Sequence, residues 1–191
     1  MKLRLVGNGG HCLSVQELLK ERKNCHPEIL STEQFDMGLL DNKIKDYDYF
    51  FAVGDLNVRR KMYQKSVELN LSIPSITSRH ATVSQSAQIG LGTVIMPSAV
   101  IRTHAKVGSQ SIVNTSCIVD HEAHIGSFVN LSPGVVICGK VYIGDSVFVG
   151  AGAIIIDGVS ICENVVVGAG ATVISNITKP GTYVGCPAKR I

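Results

Sequence analysis

Among the six histidines of this 191-residue chain, His121 is singled out by its neighbours: Glu122 follows it directly and Gly139 stands eighteen residues further on. Imidazole titrates near neutrality, and an adjacent carboxylate can fix its tautomer and stabilise its cationic form. A base beside a backbone N–H with no side chain over it suits acyl transfer, because one group accepts the nucleophile's proton and the other holds the oxygen that gains charge. Neighbours on a flat strand point to opposite faces, so a working His121–Glu122 pair needs a turn. His26 and His80 fall in loops, and His104 and His124 read as solvated turn residues. The rival chemistry, zinc held by three histidines, is disfavoured because His104 and His121 are seventeen residues apart and out of step. No metal is expected.

A repeat would make residues eighteen apart neighbours. From Val83, every sixth residue to Val173 is aliphatic, sixteen in all. Four residues beyond each lies a second register, Ala87 to Ile177, with no large aromatic or charged residue. Inside a short strand, positions one and five of a hexad face the same way, and a turn between hexads points both into a narrow interior. Gly90, Gly108, Gly126 and Gly144 recur every eighteen residues, as do Gly150 and Gly168. Eighteen is three hexads, one triangular coil, and the pattern predicts a parallel β-helix of about five coils. An α-helix cannot keep one face at a period of six, and the segment is rich in β-branched residues and glycine. Each aliphatic residue buried contributes roughly 1.5–3 kcal/mol before chain entropy is subtracted.

Residues 1–78 read as a separate α/β domain and 79–191 as the β-helix. A strand is expected at Lys2–Val6, then the glycine turn Gly7-Asn8-Gly9-Gly10-His11 and a helix from about Cys12 to Arg22. A second strand is expected at Tyr47–Val53, a helix over Leu56–Asn70, and extended chain over Ser72–Ile76. Alternating strands and helices predict a small parallel, Rossmann-like sheet. The glycine turn could hold a phosphate on backbone N–H groups at a helix N-terminus. The dinucleotide fingerprint wants a third glycine where this chain has Cys12, which argues against NAD.

The net charge of +3 comes from dispersed basic residues, so the footprint of a nucleic-acid binder is missing. No apolar run is long enough for a membrane span or a secretory leader, and the six cysteines lack a C-x-x-C pair; a cytoplasmic protein with reduced cysteines is expected.

With these residues in place, the chain resembles the hexapeptide-repeat sugar O-acyltransferases of the sialic-acid acetyltransferase type, NeuD- and PglD-like. The matching segments are GNGGH at Gly7–His11, AVGDLNVR at Ala52–Arg59, VNTSCIVDHEAHIG at Val113–Gly126, SPG at Ser132–Gly134, VGAGATV at Val167–Val173 and the ending VGCPAKRI. The resemblance implies a left-handed coil and a homotrimer with acetyl-CoA in the groove between subunits. It implies N-acetylation of a nucleotide-linked amino sugar, such as a UDP-4-amino-4,6-dideoxy sugar, for bacterial surface glycan synthesis; O-acetylation of sialic acid or another hydroxyl is the alternative. It implies His121 as base with Glu122 as its acid, Gly139 N–H on the thioester oxygen, and Asn130, Gly150, Ala151, Gly168 and Ala169 along the cofactor. Gly9, Gly10, His11 and Asn114 would meet the nucleotide sugar. Two departures stand out: Asn130 replaces a family histidine, and the paired aspartates usual after the second strand are absent from Pro27–Asp36. A non-catalytic scaffold is a further reading, which cofactor binding would exclude.

Overall fold

The computed structural model describes residues 2–21, 25–38 and 44–191 and divides into two compact units, Met1–Ser75 and Ile76–Ile191.

The first unit is a three-stranded parallel sheet built from β1 (Leu3–Val6), β2 (Glu28–Leu30) and β3 (Asp48–Phe51), in the order β2-β1-β3. Its helices are α1 (Gly10–Lys20), α2 (Thr32–Gly38) and α3 (Leu56–Glu68). β1 is buried along its whole length, as a central parallel strand must be. α1 begins two residues before the sequence suggests, on the glycines themselves, and the expected end at Arg22 lies outside the described residues. β2 and α2 have no counterpart in the sequence reading. β2 is a three-residue edge strand with two exposed positions, too short to show alternation. α2 did carry a signal: the Ser31 N–H donates to Gln34 Oε1 at 2.7 Å and the Gln34 N–H to Ser31 Oγ at 3.2 Å, a reciprocal capping box legible as Ser-x-x-Gln.

The second unit is the parallel β-helix. Each coil gives one short strand to each of three faces. The first face includes Ile112–Val113, Asn130–Leu131 and Phe148–Val149; the second, Ile118–Val119, Val136–Ile137 and Ile154–Ile155; the third, Lys106–Val107, His124–Ile125 and Tyr142–Ile143. Six strands stack on the second face, so the helix is about one coil longer than the period alone implied. Up to Val173, partners between the strands of successive coils differ by eighteen residues, as in Ile118↔Val136 and His124↔Tyr142. From Ile95 onward both inward registers are buried, Val and Ile meeting Ala, Cys and Val in one continuous core.

From Gly92 to Gly170 one residue in each hexad has a positive φ, and nine of these are not glycine. The left-handed residue turns the chain at each corner, and Glu122, at φ 57°, is one of the nine. The turn that the His121–Glu122 pair requires is therefore a regular part of the coil.

Candidate active site

His121 opens the turn between the second-face strand Ile118–Val119 and the third-face strand His124–Ile125. Its N–H donates to Asp120 Oδ1 at 2.7 Å, and its Nδ1 lies 3.3 Å from Glu122 Oε1. Both side chains are about half exposed, 48% for His121 and 54% for Glu122. A Cβ added to Gly139 would lie 2.6 Å from both Cε1 and Nε2 of His121. Glycine is thus what lets the imidazole lie against the next coil with Nδ1 on a carboxylate and Nε2 turned away from it.

The expected open donor is not open. The Gly139 N–H donates to Asp157 Oδ1 at 3.1 Å. This corrects the sequence reading, and the cause is the same eighteen-residue step: Asp157 lies one coil beyond Gly139 and reaches back, as Asp145 does to the Ser127 N–H at 2.8 Å. Asp157 and Asp120 were both missed, although the column His121, Gly139, Asp157 was there to be read. Their charge is felt nearby: burial first, then Asp157 and Asp120, push the Cys138 thiol up.

The remaining cofactor and substrate residues of this unit lie elsewhere on the prism. Asn114, Gly150, Ala151, Gly168 and Ala169 all fall in turns leading from the first face to the second, the corner opposite His121 across the second face. Ala151 and Ala169 are exposed, while Gly150 is buried with its ideal Cβ 2.5 Å from the Ala169 N. Gly150 is therefore glycine because the next coil presses on it. Asn114 caps its own turn, accepting from the Thr115 N–H at 2.9 Å. Asn130 points outward from the first face between Ile112 and Phe148, and its buried Oδ1 has no hydrogen-bond partner. The second face between the two corners carries Val100, Ile118, Val136 and Ile154 in its outward column, with Ile118 and Ile154 nearly 40% exposed. His124 stacks with Tyr142 on the third face at 5.4 Å between centroids. Among the described residues no group of three or more His, Cys, Asp or Glu could hold a metal ion.

In the first unit, a cavity of about 280 Å³ is lined by Gly7, Asn8, Gly9, Gly10, His11, Thr32 and Ala52–Gly54. It lies at the C-terminal ends of β1 and β3, where parallel sheets place ligands. Gly7 is required by packing, since its φ is +142° and its ideal Cβ would be 2.5 Å from the Ala52 carbonyl oxygen. Gly9 and Gly10 are not: nothing lies within 4 Å of their ideal Cβ positions, and Gly9 caps α1 without a side-chain bond. The helix N-terminus therefore opens on bare backbone. The buried His11 Nε2 has no hydrogen-bond partner, and burial together with the Arg59 charge holds the imidazole neutral down to about pH 4. Arg59, 2% exposed, donates to the carbonyls of Val53 and Gly54, fixing that wall of the cavity. Burial lowers its own pKa to about 10.

A family model described as bacterial transferase hexapeptide (six repeats) matches residues 140–175. The acetyltransferase domain of PglB from Neisseria gonorrhoeae FA1090 is similar along the full chain, at 30% identity and a TM-score of 0.90, covering 100% of this chain and 99% of that one. The same domain in complex with acetyl coenzyme A gives 32% identity and 0.88, covering 100% and 98%. PerB from Caulobacter crescentus, solved with CoA and GDP-perosamine, is 26% identical with a TM-score of 0.88, covering 100% and 97%.

Proposed function

The chain belongs to the hexapeptide-repeat sugar acyltransferases of the NeuD- and PglD-like kind, and from that premise we propose that it acetylates the amino group of a nucleotide-linked sugar with His121 as general base. Acetyl-CoA is the donor, as the relatives holding acetyl-CoA or CoA support. The relative holding GDP-perosamine supports an amine on a nucleotide sugar as acceptor, and the product is assigned to the synthesis of a surface glycan as part of the same proposal.

The observation that carries the mechanism is the imidazole laid over Gly139 with Glu122 on its Nδ1. The carboxylate keeps the Nδ1 proton in place, so Nε2 presents its lone pair. The sugar nitrogen forms its bond to the acetyl carbon as Nε2 takes its proton, the C–S bond breaks, and that proton passes to the departing thiolate. The developing oxyanion takes the Gly139 N–H when the Asp157 carboxylate gives it up.

The first unit holds the nucleotide sugar, its phosphates on the bare N–H groups of Gly9 and Gly10 and its polar groups within reach of His11 and Thr32. Acetyl-CoA lies past Ala151 and Ala169 with Asn130 at its rim. Ala151 and Ala169 sit on a different corner of the chain from His121, so a complete site needs the second corner from another copy, which supports a homotrimer. The aliphatic column on the second face supplies an apolar surface for such packing. Acetyl-CoA and nucleotide sugars as the two substrates support a cytoplasmic site of action. No helix among the described residues is long and apolar enough to cross a membrane.

The test is release of free thiol and mass of the product over a panel of UDP-, GDP- and dTDP-linked amino sugars. His121→Ala should lower kcat by about 10²–10⁴ at unchanged oligomeric state, and Glu122→Gln by less. Near-normal turnover in the His121 variant removes it from the mechanism. Faster acetylation of a hydroxyl sugar would replace the amine as acceptor.

A further inference from the structure

At Gly139 the backbone N–H donates to the Asp157 carboxylate while the His121 imidazole lies over the place a side chain would take. A Cβ there would stand 2.6 Å from His121 Nε2 and 3.0 Å from Asp157 Oδ1, so the imidazole edge and the carboxylate border the same small volume. Two other turn N–H groups in the coil are capped by a carboxylate, and both bonds are shorter: Ser127 to Asp145 at 2.8 Å and His121 to Asp120 at 2.7 Å. Gly139 to Asp157 is the slackest of the three, at 3.1 Å. Asp157 is exposed, and among the described residues the bond to Gly139 is its one hydrogen bond, with no ion pair to hold it elsewhere.

We propose that Asp157 is a positioning residue that competes with the acetyl thioester for the Gly139 N–H, so that the chain gives up an internal hydrogen bond before that donor can hold the transferring acetyl group. The inference rests on the acyl-transfer reading of this corner. A carboxylate is a stronger acceptor than a neutral thioester carbonyl, so the resting thioester displaces it poorly, whereas an oxyanion meets it on equal terms. The competitor thereby keeps the resting acetyl group off the donor, and the Gly139 bond is exchanged only as negative charge develops on the acetyl oxygen. CoA has no carbonyl at its sulfur end, so its binding leaves the Asp157 bond in place. A mere structural cap would treat acetyl-CoA and CoA alike.

The experiment titrates acetyl-CoA and CoA separately into the full-length wild-type protein, Asp157→Ala and Asp157→Asn, by calorimetry. In D157A acetyl-CoA should bind about three- to tenfold more tightly, the worth of one regained neutral hydrogen bond, with CoA unchanged. In D157N, which keeps an acceptor oxygen but no charge, the acetyl-CoA to CoA ratio should rise by less. An unchanged ratio in a folded variant overturns the role of Asp157 while leaving the acyl-transfer reading intact. If D157A does not fold, D157N decides by the same ratio. Failure of the wild type to bind either compound brings down both.

Discussion

At Gly139, the choice between hydrogen and methyl separates catalysis from stability. The atoms that an added Cβ would strike are the tips of the His121 and Asp157 side chains, both able to swing away. Gly139→Ala should therefore leave the melting temperature almost unchanged while displacing the imidazole, with a loss in kcat of about 10²-fold. A clear drop in melting temperature would mean that this glycine serves the coil. His11 makes the second residue-scale prediction. Its pKa falls from an ordinary 6.5 to about 4 in the folded chain, because burial and then Arg59 oppose its charge. Above pH 6.5 the imidazole is neutral in both folded and unfolded chains and adds no pH dependence. Between 6.5 and about 4 the unfolded chain takes up a proton that the folded chain refuses, so stability falls on acidification through that window. Melting curves should show the wild type losing stability there more steeply than His11→Asn. Parallel slopes would mean that His11 is solvated.

At the scale of elements, glycines on opposite corners of the coil answer to different neighbours. A Cβ at Gly150 would meet the Ala169 backbone N at 2.5 Å, and backbone cannot swing aside. Gly150→Ala should then cost about 1–3 kcal/mol, read as a lowered denaturation midpoint, the converse of the Gly139 variant. The β-helix was legible because sixteen aliphatic residues keep one spacing and each tests the same inward register, which from Ile95 onward is buried. The turn carrying His121 and Glu122 was legible for the same reason. What the period does not encode is the hand of the coil, which came only with the family resemblance, or which turn N–H groups are already taken. The Gly139–Asp157 bond depends on a side chain one coil away, and a reading that stopped at the pair His121 and Gly139 passed over it. In the first unit no repeat exists, so β2 and α2 escaped notice despite the Ser31–Gln34 box.

For the whole molecule, the sorting of residues onto corners carries the strongest consequence. His121 and Gly139 follow the second-face strands, whereas Ala151 and Ala169 precede them, with an exposed aliphatic column between. On the proposed reading a lone chain carries two half-sites, and a ring of copies that joins one corner to the other would have one complete site at each interface. Lysines at Ile118 and Ile154 would have to bury unpaired charge in such an interface, so the double variant should run as a monomer in light scattering and lose turnover together with assembly. Mixing supplies the sharper test. His121→Ala copies retain a working Ala169 corner, and Ala169→Trp copies retain a working His121 corner, so each homo-oligomer should be inactive. Co-refolded at equal amounts, about one quarter of interfaces pair the two intact corners by chance, and activity should return to about that fraction of wild type. If the mixture stays as dead as its parents, while each variant still assembles, then both halves of the site lie within one chain.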